Sequence, residues 1–190
     1  MSDQSRYRHW DQLKYARPKD WLLALAEIEQ KTADVEMDWK VRTLRKASQK
    51  KWRESRQAAL LLYGISQQFD IDLIFAVDEM EDFDCIATWI KNDEKLYAPI
   101  QLKEIVPEYL NSSQDLQKET DKIKTKYSSE TIVGFHLNRE FSFTPKELNF
   151  DGFIASEVWL FGSTTNDKKN WMLIGDMLTN PQISEFVYPD

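Results

Sequence analysis

The residues best placed to do chemistry lie in FDCIATWIKNDEKLYAPIQLKEI, residues 83 to 105, where two apolar runs flank a polar KNDE tip. Gln101 and Lys103 stand two apart in the second run, so in a strand they share a face while Ile100 and Leu102 take the other. Polar groups on one face need polar company. If Asn92 and Asp93 form a two-residue turn, facing residues have numbers summing to 185, and Trp89 meets Leu96, Ala87 meets Ala98 and Cys85 meets Ile100. On the opposite face Asp84 then meets Gln101 and Asp82 meets Lys103. An odd-length loop would shift the register and separate them. By itself this grouping offers an Asp–Lys ion pair and an Asp–Gln hydrogen bond on a half-exposed sheet, each worth a fraction of a kcal/mol.

The elements that must position these residues can be read on either side. Asp20 is the candidate N-cap of DWLLALAEIEQ, residues 20 to 30, and KTADVEMDW loosens the pattern after it. A longer helix is predicted from about Gln49 to Gln68: Trp52, Ala59 and Tyr63 share one stripe, and Ala58, Leu61 and Ile65 the adjoining one, with Glu54 at its basic N-terminal end. IDLIFAV, residues 71 to 77, reads as a strand. After the hairpin, Pro107 stops the chain, and Ser112-x-x-Asp115 resembles a capping box opening a helix over 112 to 127. TIVGFHLN, residues 131 to 138, is apolar on both faces, as a covered central strand would be. VWLFGS and WMLIGD, joined by TTNDKKN, form a further strand pair.

The chain of 190 residues is 42% hydrophobic and 30% charged, which suits a single domain with a sizeable core. Its lone cysteine, Cys85, excludes an intramolecular disulfide and a multi-cysteine zinc site. No run approaches a membrane span, the N-terminus lacks the apolar core of a signal peptide, and a cytoplasmic location is expected. The net charge of −7 is unevenly spread: residues 1 to 57 carry +5 and residues 58 to 190 carry −12. The basic excess concentrates in KVRTLRKASQKKWRESR, residues 40 to 56, which could follow a phosphate backbone or be a solvated helix face.

With these elements in order, the chain resembles the PD-(D/E)XK nucleases, the restriction-endonuclease-like superfamily. The resemblance lies in the order helix, strand, strand opening on an acid, strand with a short x-Lys motif, helix, strand. It covers roughly residues 50 to 140. Asp84 and Gln101-Leu102-Lys103 are the matching residues, and the Gln-x-Lys form is similar to that of Mrr-type restriction nucleases. The implied fold is an α/β domain spanning residues 1 to 190. It has a restriction-endonuclease-like core (49 to 190) with a central mixed sheet of about five or six strands flanked by helices, and a basic helical N-terminal extension (1 to 48).

The resemblance implies a Mg²⁺-dependent nuclease acting on DNA. Asp84, the side-chain carbonyl of Gln101 and the main-chain carbonyl of Leu102 would ligate the metal, while Lys103 would orient or deprotonate the attacking water. Glu54 matches an accessory acid that some members place on the preceding helix. Asp82 competes with Asp84, which is preferred because it directly precedes the apolar CIA run. No Pro precedes Asp84, the glycines that often surround this acid in Mrr-type proteins are absent, and Gln in place of Glu removes a negative charge from the metal site. Arg42, Arg45, Lys46, Lys50, Lys51, Arg53 and Arg56 would contact DNA phosphates. The alternative is a catalytically inactive scaffold of the same core binding nucleic acid or a protein partner, which the acidic remainder of the chain suits; a homodimer is also compatible with the sequence. His136 reads as hydrogen-bonded structure, and Cys85 as a small core residue.

Overall fold

The computed structural model describes residues 3–77, 83–140 and 143–190. Helices α1 (Asp3–Asp11), α2 (Pro18–Lys31), α3 (Trp39–Arg42) and α4 (Lys50–Phe69) precede strands β1 (Ile74–Ala76), β2 (Cys85–Lys91) and β3 (Glu94–Ile105); α5 (Leu116–Ile123) then leads to β4 (Ile132–Leu137), β5 (Glu157–Ser163), β6 (Asn170–Gly175) and β7 (Gln182–Val187). The protein is α/β, with one mixed sheet in the order β1 to β7. β1, β2 and β3 are antiparallel neighbours, β3, β4 and β5 run parallel, and β5, β6 and β7 return to antiparallel pairing.

Each face of the sheet has its own core. α4 packs Ala58, Leu61 and Ile65 against Ala87, Ile100, Leu102 and Phe161, while Leu116 and Ile123 of α5 join Val133, Phe135 and Leu160 on the opposite face. β4 is buried along its whole length because both layers cover it. Gly134 is needed there, since a Cβ at this position would lie 2.6 Å from Leu61 Cδ2. The middle of α4 is buried on nearly every side because α2 covers what the sheet does not, with Trp21 stacked on Trp52 at 5.6 Å. Leu22 of α2 belongs to this core, and each such leucine stabilises the fold by about 1.5–3 kcal/mol.

Several local features depart from the sequence reading. The sheet has seven strands rather than five or six, β7 being the addition. Within β7 only Phe186 is buried, while Ile183 and Val187 are exposed, so this edge strand carries no apolar alternation to read. α2 begins at Pro18 with Arg17 as its N-cap, which leaves Asp20 inside the first turn; proline's fixed φ suits the first helical position. α5 is capped by the Asp115 carboxylate, which accepts the Lys118 N–H, so Ser112 lies outside the helix. Among the described residues no helix is long and apolar enough to cross a membrane.

Candidate functional site

The hairpin turn sets the site. Asn92 and Asp93 adopt φ values of 51° and 63°, the left-handed pair that a tight two-residue turn requires. The ladder accordingly runs from Lys91↔Glu94 through Trp89↔Leu96 and Ala87↔Ala98 to Cys85↔Ile100, the register expected from the KNDE tip. It ends irregularly: the Asp84 N–H donates to Ile100 O at 2.9 Å, so Asp84 and Cys85 both oppose Ile100, as in a β-bulge.

This step turns the Asp84 carboxylate onto the next groups of β3. Asp84 Oδ2 accepts the Leu102 N–H at 2.7 Å and a short hydrogen bond from Gln101 Nε2. Gln101 Nε2 also lies 3.4 Å from the Leu102 carbonyl. The acid therefore satisfies a β3 backbone donor where β2 begins, and gathers the amide and the carbonyl around itself. Lys103 follows on the Gln101 face, half-buried, with Nζ 5.7 Å from the centroid of the Tyr127 ring. Asp82, the expected partner of Lys103, lies outside the described residues.

The electrostatics of this group are unbalanced. Burial raises the pKa of Asp84, opposed by the Leu102 N–H bond and by the charges of Lys103 and Lys50. Glu54, on the first turns of α4, is also raised, first by burial and then by the negative charge of Asp84; Lys50, 3.4 Å away, compensates in part. Two carboxylates thus share a partly desolvated region that does not neutralise them fully. Among the described residues no three His, Cys, Asp or Glu side chains converge as a metal-binding group. The oxygens here, from two carboxylates, an amide and a backbone carbonyl, fit Mg²⁺, which uses one or two carboxylates and keeps several waters.

The basic segment forms no single open face. Arg42 donates to the carbonyls of Ala33 (3.2 Å) and Val35 (2.8 Å), and Lys46 lies 3.6 Å from Asp38. Arg56 is bound to Glu29 at 2.5 Å. Arg53 donates to Leu44 O at 3.2 Å, with Nε 3.9 Å from Glu104. Arg45 makes a bidentate pair with Glu104, each side chain only 13% and 11% exposed. Lys50 serves Glu54, and Lys51 is exposed.

The chain matches no family model, no curated protein and no solved structure. The resemblance to PD-(D/E)XK nucleases consequently rests on residues and element order alone.

Glu104 is the residue that sequence reasoning missed. It accepts the Asn138 side-chain amide at 2.7 Å in addition to Arg45, and although burial raises its pKa, these bonds outweigh burial and hold it below the usual glutamate range. The signal was available. Ala98, Ile100 and Leu102 define an apolar stripe on β3, and Glu104 is its next member, so a charged residue at a core-facing position needed a partner. On β4, His136 and Asn138 continue the Ile132 and Gly134 face in the same way. His136 is buried, lies face to face with Phe161 at 5.1 Å, and has its pKa lowered to about 4, first by burial, so it is neutral at neutral pH. Cys85 is fully buried and burial pushes its thiol well up, in keeping with a core role.

Proposed function

We propose that this protein is a Mg²⁺-dependent, nuclease-like hydrolase acting on DNA phosphodiester bonds, built on a restriction-endonuclease-like core. The observation that carries the reading is the convergence of Gln101 and the Leu102 backbone on Asp84, with Lys103 on the same face and Glu54 within electrostatic reach. The order α4, β1, β2, β3, α5, β4, with β3 parallel to β4, supports it further. Asp84, Gln101 and the Leu102 carbonyl would hold the metal, with Glu54 as the accessory acid. Bound there, Mg²⁺ would supply charge stabilisation at the phosphate. Lys103 would hold or deprotonate the attacking water and offset the charge that develops on the phosphoryl oxygens.

The test is cleavage of DNA with Mg²⁺ by the wild type and by Lys103→Ala. Loss of a positioned acid–base group costs about 10²–10⁴-fold in rate. An exposed or half-exposed lysine contributes within about 0.5 kcal/mol to stability, so the variant should fold normally. Equal cleavage by both proteins would remove Lys103 from the mechanism.

A second reading, a catalytically inactive scaffold of the same core that binds nucleic acid or a protein partner, draws on a different observation. Asp84, Gln101 and Leu102 already satisfy one another, and most of the basic segment is engaged internally. Absence of cleavage, with no Mg²⁺-dependent rise in melting temperature, would favour that reading.

A further inference from the structure

We propose that the cavity between the start of α4, the carboxyl ends of β3 and β4 and the β5–β6 loop binds a phosphomonoester dianion. The cavity measures about 270 Å³, and Arg42, Arg45, Arg53, Arg56 and Lys168 line it. Only two carboxylates, Glu29 and Glu104, stand among these five cations, and the neutral His136 adds nothing. A chain of net charge −7 has thus gathered a local surplus of three positive charges. A phosphomonoester carries about −1.5 to −2 at neutral pH, and guanidinium forks match its oxygens in pairs. A single carboxylate would leave most of the surplus uncompensated.

Further observations bear on a ligand. Lys168, exposed to solvent at the cavity, makes no side-chain hydrogen bond or ion pair among the described residues; partial desolvation, then Arg56 and Arg45, disfavour its charged form, while Glu29 and Glu104 favour it. Its backbone sits at φ 57°, in the left-handed region that lysine rarely adopts, and is pinned by Lys168 N–H to Thr165 O at 3.0 Å and Trp171 Nε1 to Lys168 O at 2.8 Å. His136, 8% exposed, lines the cavity with its Nδ1 buried and without a hydrogen-bond partner. The cavity also lies where open α/β sheets bind ligands, outside the carboxyl ends of parallel strands.

This pocket uses the β3 face opposite Gln101 and Lys103, so either reading can fail without the other. It draws four arginines of the basic segment into one phosphate group's coordination rather than along a duplex. The phosphomonoester can come from a small metabolite or from the end of a nucleic acid strand.

The experiment is titration of the 190-residue chain with inorganic phosphate, followed by calorimetry and thermal melting at constant ionic strength. Lys168→Asn, which keeps a residue tolerant of left-handed backbone, and Lys118→Ala, a surface control on α5, are run alongside. Saturable stabilisation of the wild type and the control is expected, with affinity at least about tenfold weaker in Lys168→Asn and its unliganded melting temperature unchanged. Arms with a nucleoside monophosphate and with a short single-stranded oligonucleotide carrying either a 5′-phosphate or a 5′-hydroxyl assign the source. Tighter binding of the 5′-phosphorylated strand identifies a strand end, and equal or tighter binding of the monophosphate a metabolite. No saturable response to phosphate, or the same response in Lys168→Asn as in the wild type, overturns the proposal.

Discussion

Gln101 and Glu104 stand three residues apart on β3 and face opposite sides of the sheet, where the two sides treat charge in opposite ways. Around Asp84 the protein keeps two carboxylates whose pKa values burial raises, that of Glu54 further raised by the charge of Asp84, with lysines nearby that only partly offset the shift. Around Glu104 it keeps one carboxylate fully ionised by Arg45 and Asn138, inside a surplus of arginine. A group short of positive charge invites a cation, and one with too much invites an anion. Such imbalance says more about a site than a count of charged residues, because matched pairs of the same residues are structure and nothing more.

The largest expected effect comes from breaking the matched pair. Arg45→Ala leaves the largely buried Glu104 with only Asn138 and the more distant Arg53 as partners, and the loss should reach up to about 3–5 kcal/mol. Urea unfolding of the variant measures it. A loss below about 1 kcal/mol would mean that water reaches Glu104 and that the pocket is more open than the pair implies.

The next test sets the two sides against each other by pH. Glu104 has a lowered folded pKa, so its contribution to stability is present above the ordinary glutamate value of 4.5 and is lost as pH falls through the folded value. Glu54 and Asp84 have raised folded pKa values, so the folded state holds protons the unfolded state has released, and stability falls as pH rises from their ordinary values of 4.5 and 3.8 through the raised ones. Glu104→Gln should flatten the acid side of a stability profile taken between about pH 3 and 8, and Glu54→Gln the side above it. Slopes of the same sign for the two variants would erase the contrast. The smallest effect is at the turn: Asp93→Gly relieves a left-handed residue and should raise stability by up to about 1 kcal/mol, with the β2–β3 register kept.

How much of this was legible follows from where the information sits. The hairpin was readable because one local feature, a two-residue turn, fixes every pair from Lys91↔Glu94 to Cys85↔Ile100 and so brings Asp84 to Gln101. Glu54 was readable because helical periodicity aims it toward the same region. The fate of the arginines was hidden, since a run of like charges says nothing of carbonyls such as those of Ala33 and Val35, or of Glu29 and Glu104, which only the tertiary fold brings near. Lys168 was hidden for the same reason, as it belongs to an exposed polar loop that only the fold brings beside the arginines. β7 was missed because an edge strand with one buried residue leaves no periodic trace.

The type of contact that makes the hairpin legible also sets when it can form. Asp84 reaches Gln101 across 17 residues, whereas Arg45 must find Glu104 across 59. Closing the longer loop costs more chain entropy, and hairpins form within about 1–10 μs, well before non-local pairings in most domains. The contact between Asp84 and Gln101 should therefore form on a chain whose arginine pocket does not yet exist. The Leu102 amide, held by Asp84 itself, would then gain protection from solvent exchange before the Asn138 amide, which needs β3 and β4 to meet.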